Sequence, residues 1–97
     1  MTTERQAAGY AKVLEDARAQ EVKVYDVCGK SGLTDFFVVA TGAAAPHLKA
    51  LAKALPKAYR VSGDPESGWI VADFIDVVVH IFSAEARAYY SLEKLWA

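Results

Sequence analysis

The chain has one cysteine, three prolines, no long apolar run and no excess of positive charge. Each shortage excludes something. A lone Cys28 cannot close an internal disulfide, so a secreted, cross-linked scaffold is not expected. A net charge of −1 argues against salt-driven binding to nucleic acid, which relies on a basic face. Little direct nucleic-acid contact is therefore expected, and a partner would be met mainly through protein. No stretch approaches the roughly 18 apolar residues that a spanning helix needs. Met1-Thr2-Thr3-Glu4 lacks the basic and apolar regions of a signal peptide, so a cytosolic protein is expected. What the chain does have is apolar content, 54% of 97 residues, enough for one packed domain over residues 1–97.

The pattern alternates between helical and strand periods. Thr3 to about Gln20 reads as an amphipathic helix, with Ala7, Tyr10, Leu14 and Ala17 on one face and a Thr3/Gln6 capping box at its start. Val22–Val27 has a strand period, and Gly29-Lys30-Ser31-Gly32 is turn chemistry. Phe36–Ala40 is continuously apolar, as in a central strand covered on both faces. Pro46 suits the first turn of a second helix with the stripe Leu48, Leu51, Ala52 and Leu55, and Pro56 ends it. Tyr59–Gly63 is a short strand and residues 63–68 form a loop. Trp69–Asp73 and Val77–Phe82 are the two best strands, only three residues apart, hence an antiparallel hairpin. Ser83 caps a last helix from Ala84 to Trp96. The fold class expected is α/β (α+β), a mixed sheet of about five strands flanked by helices.

No set of residues assembles into an active site. Gly29-Lys30-Ser31 resembles the end of a phosphate-binding loop, but Val24 stands where the motif needs another glycine. Asp73 and Asp76, with His80 nearby, could hold Mg²⁺ for phosphoryl transfer, the basis of an alternative reading as a minimal nucleotidyltransferase. Strand parity changes between 73 and 76, so the three are not expected to share a face. A turn aspartate, a strand-end aspartate and a partly buried histidine explain them without a metal. Cys28 and His47 have no third group to orient them. No catalytic residue, cofactor or metal is expected.

Three blocks carry a resemblance. They are Gly29-Lys30-Ser31-Gly32-Leu33-Thr34-Asp35 running into Phe36–Gly42, then Gly68–Asp73 with Asp76–Phe82, and lastly Glu85-Ala86-Arg87 with Tyr90–Trp96. In this order they resemble the Iojap-like ribosome-silencing factors, over residues 10–96. The resemblance implies a nucleotidyltransferase-like fold without that chemistry. It implies docking on ribosomal protein fourteen of the large subunit, steric blocking of subunit joining when nutrients fall, and a homodimer in the free state. Three departures stand out. Ala45-Pro46-His47 replaces a more basic run, Ile75 replaces a glycine in the hairpin, and the segment from His47 to Trp69 is shorter than usual.

For such a binding module, Trp69, Tyr90 and Trp96 are expected to supply apolar anchor area, and Asp73, Asp76 and Glu93 to face a basic partner. His80, Arg87 and Lys94 complete the expected contact set. On the last helix, Tyr89, Leu92 and Trp96 would cover the sheet, leaving Ala86, Tyr90, Glu93 and Ala97 as the docking stripe. Arg87 would stack on the Tyr90 ring or hold a carboxylate.

Overall fold

The computed structural model describes residues 3–28 and 34–91. Nine elements follow in order: α1 (Thr3–Asp16), β1 (Gln20–Asp26), β2 (Phe36–Gly42), α2 (Ala45–Ala54), β3 (Arg60–Asp64), a 3-10 turn (Pro65–Ser67), β4 (Trp69–Asp73), β5 (Val77–Ser83) and α3 (Ala84–Tyr90). The strands form one sheet in the order β1-β2-β5-β4-β3. β2 and β5 run parallel at its centre, and every other pairing is antiparallel. The mixed α+β sheet and the β4–β5 hairpin read from the sequence are both present.

The central strands are apolar on both faces because each face has its own packing to do. Val38 and Ala40 of β2, and Val77, Val79 and Ile81 of β5, join Ala7, Ala11 and Leu14 of α1 with Leu48 and Leu51 of α2 in the main core. Both long helices thus lie on one face. Val39, Phe82 and Ala86 form a second, smaller core on the other, with Tyr25 and Trp69 packed against it. Among the described residues, α3, seven residues long, is the one helix on that side.

α1 stops at Asp16, four residues before the expected Gln20, because Arg18 takes φ 71 and the chain breaks away toward β1. Within α1 the Gln6 side-chain amide donates to the Tyr10 hydroxyl one turn on, at 2.8 Å. α2 ends as expected, with Leu55 extended ahead of Pro56. His47 ties the two helices together. Its Nδ1 accepts from the Ala43 N–H at 2.8 Å and its Nε2 bonds the Ala17 carbonyl at 3.0 Å, so neither nitrogen is free to activate Cys28.

α3 departs most from expectation. Ser83 does cap it, accepting from the Ala86 N–H at 3.1 Å. The helix then ends at Tyr90, where Ser91 takes φ 49 and its N–H bonds the Arg87 carbonyl. Continuation to Trp96 as one helix is thereby excluded at residue 91, and Leu92, Glu93, Lys94, Trp96 and Ala97 lie outside the described residues. The two expected faces are also reversed where they can be read. Tyr89, expected to cover the sheet, is 82% exposed, while Ala86 is buried and Tyr90 packs on Trp69. The Ser83 cap sets the phase of the helix, and that phase turns positions 86 and 90 inward.

Candidate functional site

The side of the sheet away from α1 and α2 carries the candidate site. Register assigns its side chains in rows. The row nearest α3 holds Thr41, Phe82, Trp69 and Asp64; the next holds Lys23, Val39, His80, Val71 and Ser62; the last holds Tyr25, Phe37, Val78, Asp73 and Arg60. α3 packs at the Phe82 and Trp69 end through Ala86. Beyond it Tyr25, Val71, Val78 and Trp69 each keep part of their surface in solvent. An apolar stripe running from β1 across β2 and β5 to β4 is therefore left half-covered, with Lys23, Arg60 and Asp73 at its margins.

Aromatic stacking gives this face its rigidity. Trp69 lies over Phe82 with centroids 5.0 Å apart, and Tyr90 meets Trp69 at 4.6 Å. The Trp69 indole N–H donates to His80 Nδ1 at 3.2 Å. That bond leaves the proton of the neutral imidazole on Nε2, which is buried and has no hydrogen-bond partner among the described residues. Phe37 flanks the same ring at 5.0 Å.

Six of the expected contact residues are among the described ones, and they are placed differently. Trp69, Tyr90 and Asp73 are on or beside the half-covered face, and Tyr90 is 47% exposed. His80 is on that face too, but only 7% exposed, so in this conformation it supports the surface from below rather than presenting its ring. Arg87 is turned to the end of the sheet, where its guanidinium donates to the Glu21 carbonyl at 2.7 Å and the Thr41 hydroxyl at 2.8 Å, pinning α3 to β1 and β2. Asp76 is exposed in the hairpin turn. Asp73 and His80 do share a face, contrary to the parity reading, because the chain folds back between them: Asp73 pairs with Val78 and Val71 with His80. They do not converge on a metal site. The Asp73 carboxylate accepts from the Ile75 N–H at 2.7 Å, and among the described residues no three His, Cys, Asp or Glu side chains are grouped to hold a metal ion. The Cys28 thiol is exposed and pushed up by the Asp35 carboxylate beside it and by Asp26, which disfavours a thiolate.

Val71, Val78, Tyr25 and Phe37 were absent from the expected contact set. The signal was there in β4 and β5: Trp69 and Val71 share one parity, and the antiparallel pairing puts Val78 and His80 beside them.

Burial holds the His80 imidazole down at about 4, against the ordinary 6.5. In the unfolded chain the group takes up its proton near pH 6.5, whereas in the fold it does so only near 4. Between those values the unfolded state binds the extra proton, so stability falls as pH drops. The expected loss on going from pH 7 to 4 is about 3 kcal/mol from this group. His80→Phe should remove that part of the pH dependence, and urea unfolding of both proteins at pH 7 and pH 4.5 checks it. An equal acid loss in the variant would mean that His80 is not the group responsible.

The comparisons with known proteins agree with this architecture. The family model described as "RsfS: Ribosomal silencing factor during starvation" matches residues 1–97. A protein named Ribosomal silencing factor RsfS from Treponema pallidum is 38% identical over 104 aligned positions, covering 99% of this chain and 94% of that one. A Mus musculus protein named Mitochondrial assembly of ribosomal large subunit protein 1 is 30% identical over 95 positions, covering 87% of this chain and 42% of its own length. A crystal structure of a Chromobacterium violaceum protein superposes with a TM-score of 0.87 at 29% identity, covering 99% of this chain and 87% of the other.

Proposed function

We propose a function from one premise: this chain belongs to the ribosomal silencing factor family. Membership carries a ribosome-associated silencing role. Our reading is finer. The protein docks on the large ribosomal subunit through ribosomal protein fourteen, occupies the surface where the small subunit joins, and lowers translation under nutrient limitation. It does so in the cytoplasm, as a binding module and not as an enzyme.

The observation that carries this reading is the half-covered sheet face. Burying apolar surface stabilises a contact by about 25 cal/mol per Å², and a rigid aromatic group loses little entropy when it docks. Trp69 and Tyr90 are such a group, already stacked on each other and on Phe82. Steric blocking needs no reacting atoms, only a stable domain held in the way. The large-subunit wording in the mouse relative's name supports the choice of subunit. Co-sedimentation with purified large subunits tests it: the protein should pellet with them at modest salt and not with small subunits. Absence from the large-subunit pellet would refute the reading.

The same face supports self-association of the free protein. A homodimer that buried the stripe would have to dissociate before docking, making silencing depend on concentration. Light scattering across a dilution series tests this, and a strict monomer at high micromolar concentration removes it without touching ribosome binding.

A further inference from the structure

The tip of the β4–β5 hairpin is built against the preference of its own residue. Asp76 donates its N–H to the Phe74 carbonyl at 3.0 Å, while Phe74 donates to the Val77 carbonyl at 2.8 Å. The first bond closes a γ-turn with Ile75 at its centre, and Ile75 has φ 75. That is the rare, strained form of the γ-turn, and a β-branched residue is among the least suited to positive φ. Ile75, standing in place of a glycine, thus takes a positive φ. The surroundings hold the turn in place: the Asp73 carboxylate accepts from the Ile75 N–H, and the Asp76 carbonyl accepts from both Asp35 and Phe36.

Ile75 is 57% exposed, so it adds strain and leaves apolar surface in water. Glycine or asparagine would make the same turn at lower cost. The environment of the tip is acidic. Asp73 stands two residues before Ile75 and Asp76 directly after it, and Asp35 meets the turn through its backbone N–H, which donates to the Asp76 carbonyl. The tip is also continuous with the half-covered sheet face, since Asp73 and Val78 of its last row lead directly into the turn.

We infer that Ile75 is a docking anchor that inserts into an apolar pocket on a basic protein surface, with Asp73, Asp76 and Asp35 matching the positive rim. The inference rests on the proposed large-subunit docking and names one of its contacts. Carboxylates around the anchor favour a basic protein over an RNA phosphate backbone.

Ile75→Gly separates the contact from the fold, because glycine accepts the turn freely. The variant should melt at the wild-type temperature or above, yet bind large subunits roughly tenfold more weakly, the loss expected for an exposed isoleucine that becomes buried on docking. Unchanged binding by I75G would overturn the inference while leaving the proposed function standing. Failure of the wild type to bind would sink the function itself. Where I75G melts lower than wild type, Ile75→Lys asks the same question with a side chain retained and a charge that an apolar pocket in a basic surface rejects; wild-type affinity in I75K then overturns it. Binding of the wild type to protein-free ribosomal RNA, weakened by I75G, would also overturn it by naming the other kind of partner.

Discussion

Val78→Arg is expected to reduce affinity for the large ribosomal subunit by a factor of roughly 100 or more. Val78 sits on β5 at the half-covered face, next to Phe37 on one side and Asp73 on the other. It is only partly buried, so an arginine can reach solvent and pair with Asp73 without forcing the core apart. Against a docked partner the same guanidinium must lose its water at the centre of an apolar contact, facing a basic surface. The melting temperature should change by no more than a few degrees. Ala50→Arg, on the exposed side of α2, changes charge equally on the opposite layer and should leave binding intact. Wild-type affinity in V78R would move the docking surface off this sheet face.

Phe82→Ala should have the largest effect on stability, about 3–5 kcal/mol. The ring is fully buried at the one place where the small second core, Trp69 and α3 meet. It stacks with Trp69 at 5.0 Å, lies 6.1 Å from His80 and 6.3 Å from Tyr90. Removing it leaves a cavity under the aromatic group and takes away the floor on which α3 rests. Domains of this size are stable by only about 5–15 kcal/mol, so much of the margin would go. Tyr89→Ala, one residue from Tyr90 but pointing into solvent, should shift stability by no more than about 0.5 kcal/mol. Urea denaturation of the two variants decides whether α3 has the phase described. A costly Y89A and a harmless F82A would restore the opposite phase.

The parts of this fold that were legible in the sequence are those fixed by local composition. β4 and β5 are dense in β-branched and aromatic residues and stand three residues apart, which leaves a hairpin as the simple solution. Pro46 and Pro56 bracket α2 because proline tolerates a first turn and breaks an interior. Helix ends set by a left-handed residue were not legible. Arg18 and Ser91 both take positive φ, a conformation tertiary context selects and side-chain type alone does not announce.

The candidate site was legible in part. Trp69 and Tyr90 could be named as large aromatics, residues that serve as binding anchors about as often as they fill cores. Which sheet face would stay half-covered could not be read, since β2 and β5 are apolar on both and only the placing of α1 and α2 decides. Arg87 was expected to stack on the Tyr90 ring or to hold a carboxylate. Its role in pinning α3 depends on a carbonyl 66 residues away in sequence, which no local pattern reveals.

Subunit joining in a purified system measures the central claim directly. Large subunits are incubated with an excess of the protein, small subunits are then added, and joined ribosomes are resolved on a sucrose gradient. Joined ribosomes should be depleted in proportion to the protein bound, the protein should run with free large subunits, and V78R should restore joining. Full joining with the wild-type protein travelling on the joined ribosome would contradict steric blocking, because it would show the docked domain and the small subunit occupying the large subunit together.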